Sequence, residues 1–328
     1  MMALTDKYNR TVDYVRISVT DRCDFRCVYC MAEEMTFLPK SSILSLEEIE
    51  RIAKAFVELG VTKIRYTGGE PLIRSNVNAL FNATSQLDGI KEVVITTNGS
   101  QLEKMAEELY QSGIKRINIS LDSLNDERFT NITRHGKLQQ VLAGIKKAKA
   151  FPFDQIKINS VIIKGRNDDE VLDLVKFAID QSVDISFIEE MPLGVITEHD
   201  RASTMCSSDE VRSIIEQQHE LVPDTYKTNG PSRYFQLVGS NTRIGFISPH
   251  SHNFCSECNR VRVTVEGRLL LCLGNEHSVD LRDPIRNGCS DDELKEIIIK
   301  AMDIKPISHE FDLEEEPQIL RFMNTTGG

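Results

Sequence analysis

The sequence predicts an α/β fold: a partial, open (β/α)6 barrel followed by a small C-terminal β-rich module. Strand-like runs alternate with helix-like runs six times before residue 200, a pattern typical of right-handed βαβ units around a parallel sheet. Polar side chains recur at every second position of several strands, which indicates a polar barrel interior rather than a sheet covered on both faces. After about Met191 the alternation ends, and short strands with glycines between them follow.

The predicted elements follow in a regular order. Ser45 and Glu48 form a capping-box signature for the first helix, and Gly60 has the position of a C′ glycine. Strands are predicted at 12–20, 63–67, 92–97, 116–121, 155–163 and 184–189, and helices at 46–59, 77–87, 102–111, 138–150 and 168–181. A further helix is predicted at 208–218, and strands at 234–237, 243–247, 261–265 and 269–271. We therefore expect a TIM-like partial barrel at 1–200 and a C-terminal module at 201–328.

The composition restricts the class of protein. The chain has 328 residues, of which 40% are hydrophobic and 27% charged, as is usual for soluble globular proteins. The net charge of −11 argues against a nucleic-acid-binding surface. No apolar run approaches the roughly 20 residues of a membrane span, and residues 1–10 lack the apolar core of a signal peptide. We expect a cytoplasmic protein, in which eight cysteines serve metal ligation rather than disulfides.

Three cysteines follow the first strand with the spacing C-x3-C-x2-C. They are Cys23, Cys27 and Cys30. Thiolates are the ligands that iron–sulfur clusters and zinc prefer. A 4Fe–4S cluster held by only three thiolates keeps one iron open for a ligand, and this is the interpretation we favour. A zinc site or a redox dithiol is the alternative.

A second set of three cysteines lies in the predicted β-rich module. Cys255, Cys258 and Cys272 again begin with C-x2-C, which predicts a second cluster with an open iron. The alternative is a zinc knuckle completed by His250, His252 or His277. Isolated cysteines are usually buried structural residues, so Cys206 and Cys289 are left out of both sets.

Basic side chains accompany both cysteine sets. Inward strand positions predict one polar face that carries Arg16, Ser18, Thr20, Lys63, Arg65, Thr67, Asn118, Ser120, Asp122, Lys157 and Asn159. Arg260 and Arg262 alternate beside the second set. Converging cations are costly without an anion, and both Arg and Lys bind phosphate. The pattern favours a phosphate-bearing substrate; the alternative is that each cation is exposed or ion-paired.

Several stretches resemble the radical S-adenosylmethionine superfamily. They are residues 20–31 with the cysteine loop, 65–74 with Gly-Gly-Glu-Pro, 96–99, 118–124, 157–161 and 254–264. More narrowly, the sequence resembles the GTP 3′,8-cyclase family of molybdenum cofactor biosynthesis along essentially its full length, including the terminal Gly327-Gly328. One departure is Ala32, where the family usually has Pro after the methionine.

The resemblance implies ligands for each group of residues. Cys23, Cys27 and Cys30 would hold a 4Fe–4S cluster that chelates S-adenosylmethionine, and Cys255, Cys258 and Cys272 a second cluster that meets guanine. S-adenosylmethionine would lie against Tyr29, Gly69, Ser120 and Met191. GTP would bind Arg16, Arg65, Thr96, Lys157, Arg260, Val261 and Arg262, with Lys63 as an addition, and the diglycine tail would reach into the site.

The resemblance also implies the reaction. A 5′-deoxyadenosyl radical would abstract the ribose 3′ hydrogen of GTP, and the carbon radical would attack C8, giving (8S)-3′,8-cyclo-7,8-dihydroguanosine 5′-triphosphate. Implied partners are a small electron donor such as flavodoxin or ferredoxin and the downstream pterin synthase. No nucleic acid or membrane is expected to bind, and the protein is expected to be a monomer or homodimer. The alternatives are a radical S-adenosylmethionine enzyme that modifies a peptide with an auxiliary cluster, and a non-catalytic module with two structural zincs.

Overall fold

A computed structural model describes residues 3–196, 199–313 and 319–327. Within these ranges the strands form one 12-stranded sheet. The strands are β1 Tyr14–Ser18, β2 Lys63–Thr67, β3 Glu92–Thr97, β4 Arg116–Ser120, β5 Gln155–Val161, β6 Asp184–Ile188, β7 Leu221–Pro223, β8 Arg233–Leu237, β9 Arg243–Ile247, β10 Arg260–Val263, β11 Arg268–Leu270 and β12 Ser278–Asp280.

The sheet is open, and its central part is parallel. The strand order is β12-β11-β10-β1-β2-β3-β4-β5-β6-β9-β8-β7. Strands β1 to β6 are parallel neighbours in chain order, so the predicted βαβ alternation is confirmed. Their carboxyl ends therefore meet at one edge of the sheet, where the cysteine loop follows β1 and the Gly-Gly-Glu-Pro turn follows β2.

The strands beyond β6 extend this sheet on both sides. β10 pairs in parallel with β1, and β9 with β6. The antiparallel strands β11 and β12 continue beyond β10, and β8 and β7 beyond β9. Because Cys255 and Cys258 precede β10 and Cys272 follows β11, the pairing of β10 with β1 carries the second cysteine set to the side of the first strand.

The described ranges contain eleven α-helices, of which some but not all begin at a capping side chain. They are α1 Leu46–Glu58, α2 Val77–Ser85, α3 Leu102–Gln111, α4 Asp126–Thr133, α5 Leu138–Ala148, α6 Val171–Gln181, α7 Arg201–Thr204, α8 Ser208–Glu216, α9 Arg282–Arg286, α10 Asp291–Ala301 and α11 Met323–Thr326. The capping box of Ser45 and Glu48 is confirmed, as is the positive φ of Gly60. Helix α4 was not predicted, although Asn125 caps it by accepting from the Arg128 amide.

The hydrophobic core lies between the apolar face of the sheet and the helices. Val15 and Ile17 of β1 and Ile64 of β2 are fully buried in it with Phe56 of α1. The opposite, polar face of these strands is therefore left for the site described below. No helix in the described ranges is long and apolar enough to cross a membrane.

Candidate active site

A cavity of about 1200 Å³, including its opening to solvent, lies over the polar face of the sheet. Its walls come from the strands β1 to β6 and β9 to β11 and from the segments that hold the second cysteine set. It gathers most of the residues that the sequence analysis singled out: Arg16, Tyr29, Arg65, Thr96, Ser120, Met191, Cys255, Cys258, Arg260, Val261, Arg262 and Cys272. Residues distant in the sequence thus line one space.

Three arginines form a row across adjacent strands in this cavity. In the sheet register Arg16 lies beside Arg262 of β10 on one side and Arg65 of β2 on the other. Arg65 Nη1 donates to Thr96 Oγ1 at 2.9 Å, while Arg65 Nε is buried without a hydrogen-bond partner. A buried guanidinium donor without an acceptor indicates that the site is completed by a ligand.

These arginines also lack carboxylate partners. Across the described parts of the chain, no ion pair involves Arg16, Arg65, Arg260 or Arg262. Burial lowers the pKa of Arg16, Arg65 and Arg262, because the charged form loses its hydration. Several desolvated cations side by side are unfavourable unless an anion joins them. The cavity is therefore built to receive a polyanion.

The two lysines of the polar face differ in how they are engaged. Lys63 Nζ lies 2.6 Å from Glu92 Oε2 and donates to the carbonyl of Thr228 at 2.8 Å. Lys63 is thus already paired with a carboxylate, and neither Lys63 nor Lys157 is among the cavity-lining residues. Lys157 Nζ donates to the hydroxyl of Tyr234 at 3.0 Å. Burial opposes ionisation of Tyr234, but Lys157 outweighs it and lowers the pKa of that phenol to about 8.

Tyr14 lies in the middle of the cations and was missed by the sequence analysis. It sits in register between Arg260 and Lys63, and its hydroxyl accepts from Arg16 Nε at 3.0 Å. Burial opposes ionisation of Tyr14, yet the summed charge of Arg16, Arg65, Lys63 and Arg260 lowers its pKa to about 7. Its place two residues before Arg16, on the same strand face, was the available signal.

The first cysteine loop is held in place by polar contacts from neighbouring strand ends. The amide of Phe25 and the side-chain amide of Asn98 approach Cys23 Sγ at 3.4 and 3.6 Å. Burial raises the pKa of Cys23, Cys27 and Cys30, and for Cys27 the nearby thiols of Cys30 and Cys23 raise it further. Three buried thiols in mutual electrostatic contact favour binding to a metal group that stabilises their thiolates.

Tyr29 connects this loop to the cavity. Its hydroxyl donates to Asp122 Oδ2 at 2.7 Å, and Asp122 Oδ1 accepts from the amide of Val161 at 2.8 Å. Burial raises the pKa of Asp122 to about 6. Ser120 and Met191 line the cavity with Tyr29. The predicted S-adenosylmethionine residues other than Gly69 therefore line the same cavity.

Gly69 does not line the cavity. It packs so closely against the backbone that leads into the cysteine loop that no side chain would fit. A Cβ at this position would be 2.2 Å from the carbonyl oxygen of Arg22, and the Gly69 amide donates to the carbonyl of Thr20 at 2.7 Å. The adjoining Glu70 is fully buried, and its carboxylate accepts from Thr97 and from the amide of Asn98. The turn thus fixes the loop that carries Cys23.

The second cysteine set belongs to the same cavity. Cys255, Cys258 and Cys272 line the cavity. Burial opposes ionisation of Cys258, but Arg260 and Lys305 outweigh it and lower its pKa to about 7. The alternative zinc ligands His250 and His252 are engaged elsewhere, with the carbonyl of Glu190 and with Asp209.

The donor sets fit iron–sulfur clusters. In the residues that the structure describes, no three Cys, His, Asp or Glu side chains are arranged to hold a single metal ion. In a 4Fe–4S cluster each thiolate binds a different iron, so its ligands stand farther apart than those of one ion. Each set offers three free cysteines, enough to hold such a cluster with one iron open.

The C-terminal tail closes part of the cavity. Arg262 Nη1 donates to the carbonyl of Gly327. Gly327 has a φ of +74°, and a Cβ there would lie 2.1 Å from Thr67 Cγ2, so only glycine fits without displacement. Asn324 also donates to the carbonyl of Asp21 at 2.8 Å. Gly328 lies outside the described residues.

Comparison with protein families gives two matches that together span most of the chain. The family described as Radical SAM superfamily matches residues 17–178, and Molybdenum Cofactor Synthesis C matches residues 183–311. A protein of Marinobacter nauticus named GTP 3′,8-cyclase is 61% identical over 99% of this chain and 98% of its own length. The protein of that name from Pseudomonas entomophila is 58% identical over 99% and 98%.

Solved structures share the fold at low sequence identity. SuiB of Streptococcus suis bound to the precursor peptide SuiA has a TM-score of 0.66 at 16% identity, and covers 92% of this chain and 67% of SuiB. Its complex with S-adenosylmethionine has a TM-score of 0.62 at 17% identity over 84% of this chain, which spans only 65% of SuiB. These likenesses show the fold alone, an α/β fold with an open sheet.

Proposed function

The chain belongs to the GTP 3′,8-cyclase family, and from that premise we propose that it converts GTP to (8S)-3′,8-cyclo-7,8-dihydroguanosine 5′-triphosphate, an early step of molybdenum cofactor biosynthesis. The observation that carries the proposal is the row Arg262, Arg16 and Arg65 along one cavity, in which Arg65 is buried, Arg16 and Arg262 are half-buried, and none of the three pairs with a carboxylate of the described residues. A triphosphate supplies negative charge to offset these arginines, and each guanidinium group can bind two phosphate oxygens at once.

The remaining GTP contacts are proposed for residues that line this cavity and for Lys157, which lies on the same face of the sheet without lining it. Thr96 already orients Arg65 through its hydroxyl, and Lys157 offers an ammonium held by Tyr234. Arg260 and Val261 adjoin the second cysteine set. We assign Lys63 a supporting place, because its pairing with Glu92 leaves little charge for the substrate. The nucleotide would thus lie between the arginine row and Cys255, Cys258 and Cys272.

The enzyme uses S-adenosylmethionine and two 4Fe–4S clusters, as its family does. In our proposal Cys23, Cys27 and Cys30 hold the first cluster, beside S-adenosylmethionine at Tyr29, Gly69, Ser120 and Met191. Cys255, Cys258 and Cys272 hold the second, beside guanine. When bound, the first cluster would supply one electron, which breaks the S–C5′ bond of S-adenosylmethionine and leaves methionine and a 5′-deoxyadenosyl radical able to take the ribose 3′ hydrogen.

The chain's own contribution to the reaction is placement. The sheet register fixes the cations, and the Tyr29–Asp122 hydrogen bond fixes the loop next to the cavity. Reacting groups held near contact distance in a site closed to water gain several orders of magnitude in rate. The Gly327 carbonyl on Arg262 contributes to that closure.

The domain division, location, partners and oligomeric state are also proposals. We propose a partial (β/α)6 barrel at 1–200 with a C-terminal module at 201–328; the family matches that end at 178 and begin at 183 support a division nearby. We also propose a cytoplasmic location, a flavodoxin- or ferredoxin-like electron donor, transfer of product to a pterin synthase, and a monomer or homodimer. The net charge of −11 supports the absence of nucleic acid.

Anaerobic reconstitution followed by a turnover assay tests the function. Two clusters predict about eight irons per chain with matching sulfide, and reduced protein should form 5′-deoxyadenosine only when GTP is present. Arg212→Ala should leave this turnover unchanged and serves as a control, since the half-exposed Arg212 pairs with Glu216 on the surface of α8. Equal turnover with ATP or without nucleotide would contradict the proposal.

A further inference from the structure

Lys305 is a buried lysine next to the second cysteine set, and no motif used above includes it. Only 1% of its surface is exposed. Its three N–H donors are all engaged: with the carbonyl of Leu271 at 2.7 Å, the carbonyl of Arg260 at 3.0 Å and Cys258 Sγ at 3.6 Å. The 3-10 turn Met302–Ile304 after α10 delivers it to this position.

What Lys305 lacks is a counter-charge. Among the described residues no carboxylate lies within ion-pair distance of its ammonium group. Two other cations near the site are balanced: Arg10, which donates to the carbonyl of Cys255, pairs with Asp6 at 2.6 Å, and Lys63 pairs with Glu92. Carbonyl dipoles satisfy hydrogen bonds, yet an ammonium removed from water also requires an anion to offset its lost hydration.

The nearest source of that anion is the cysteine set itself. A 4Fe–4S core held by three thiolates carries net negative charge, and the charge increases when the core is reduced. A positive charge beside a thiolate ligand stabilises the reduced form more than the oxidised form, and N–H donors to cluster sulfur act in the same direction.

We propose that Lys305 is a positioning residue whose charge stabilises the second cluster and raises its reduction potential. The inference rests on the proposed function, because it presupposes that Cys255, Cys258 and Cys272 hold a cluster. A merely structural role is the competing explanation: Lys305 bridges the carbonyls of Arg260 and Leu271, and could serve only to join those two segments.

Charge and hydrogen bonding can be separated by two substitutions. Lys305→Met removes both the charge and the donors, whereas Lys305→Gln removes the charge and keeps N–H donors. Lys300→Met on the exposed face of α10 is the matched control, since 75% of the Lys300 side chain is exposed. Each is made in the full chain with Cys23, Cys27 and Cys30 replaced by Ser, so that only the second cluster contributes a signal.

The measurement is a redox titration of the reconstituted cluster followed by electron paramagnetic resonance, with iron and sulfide counts and circular dichroism. We expect both Lys305 variants to shift the midpoint to more negative potential, and Lys300→Met to leave it unchanged. Loss of iron from both variants with secondary structure retained would instead favour the structural role, because Lys305 joins the segments that carry Cys258 and Cys272.

Three other results would go against the proposal. An unchanged midpoint in both variants, or a shift with Met but not with Gln, would show that the charge of Lys305 does not act on the cluster. Unfolding of both variants would assign Lys305 a structural role. A parent chain that binds no second cluster at all would instead refute the proposed function, so the two failures are distinguishable.

Discussion

Tyr14 should make GTP binding depend on pH. In the unliganded protein its pKa is lowered from 10.0 to about 7: burial opposes ionisation, but Arg16, Arg65, Lys63 and Arg260 outweigh it. A bound triphosphate would engage the same cations and repel a phenolate, so the pKa of Tyr14 should rise in the complex. GTP therefore prefers the protonated phenol.

The magnitude follows from linkage. Above about pH 7, each GTP bound takes up nearly one proton at Tyr14, so the dissociation constant should rise about tenfold per pH unit, or about 1.4 kcal/mol. Near pH 9 the weakening should approach about 100-fold. Below about pH 7 the phenol is already protonated and the dependence should vanish.

Tyr14→Phe is the matching perturbation, because it removes the ionisable hydroxyl and keeps the ring that Lys63 approaches at 5.2 Å. Calorimetric titration of cluster-loaded protein with GTP, in buffers of different ionisation enthalpy, counts the protons taken up. Ionisation of GTP and of Tyr234, whose pKa is about 8, contributes to both proteins and cancels in the comparison. If the dissociation constant for GTP has the same pH dependence in the two proteins, Tyr14 does not take up the proton.

The remaining predictions concern the cations and the second cysteine set. Arg65→Ala should weaken GTP binding about 100-fold, since charge-assisted hydrogen bonds contribute about 1.5–3 kcal/mol. Lys63→Met should weaken it less than about threefold, because Lys63 pairs with Glu92. Comparable losses of affinity in the two binding isotherms would disprove this ranking. Cys255→Ser should reduce the iron content from about eight to about four per chain and abolish cyclisation while S-adenosylmethionine still binds; cyclisation that survives would remove the second cluster from the mechanism.

Local patterns in the sequence predict much of the frame. The capping box at Ser45 and the parallel order of β1 to β6 depend on short-range spacing and on the alternation of elements, and both are present. The period of two along strands also placed Arg16 and Arg65 on one face, and the structure lines one cavity with them. The same period of two also places Tyr14, two residues before Arg16, on that face.

Long-range pairing is what the sequence could not supply. Nothing local indicates that β10 lies beside β1, which sets Arg262 next to Arg16. The register that places Lys63 opposite Glu92 is equally non-local. It explains why Lys63 pairs with a carboxylate, whereas Lys157 donates to the hydroxyl of Tyr234. Lys305 belongs to no motif, and only its burial against the cysteine set reveals it.

In the proposed reaction this cavity places the ribose of GTP against the activated S-adenosylmethionine. Turnover of GTP deuterated at the ribose 3′ carbon, followed by mass spectrometry of the 5′-deoxyadenosine, tests it most directly. We expect the deuterium to move into 5′-deoxyadenosine, and this transfer to be lost in Arg65→Ala at GTP concentrations that saturate the unsubstituted protein. Unlabelled 5′-deoxyadenosine formed alongside a product that retains the 3′ deuterium would contradict it.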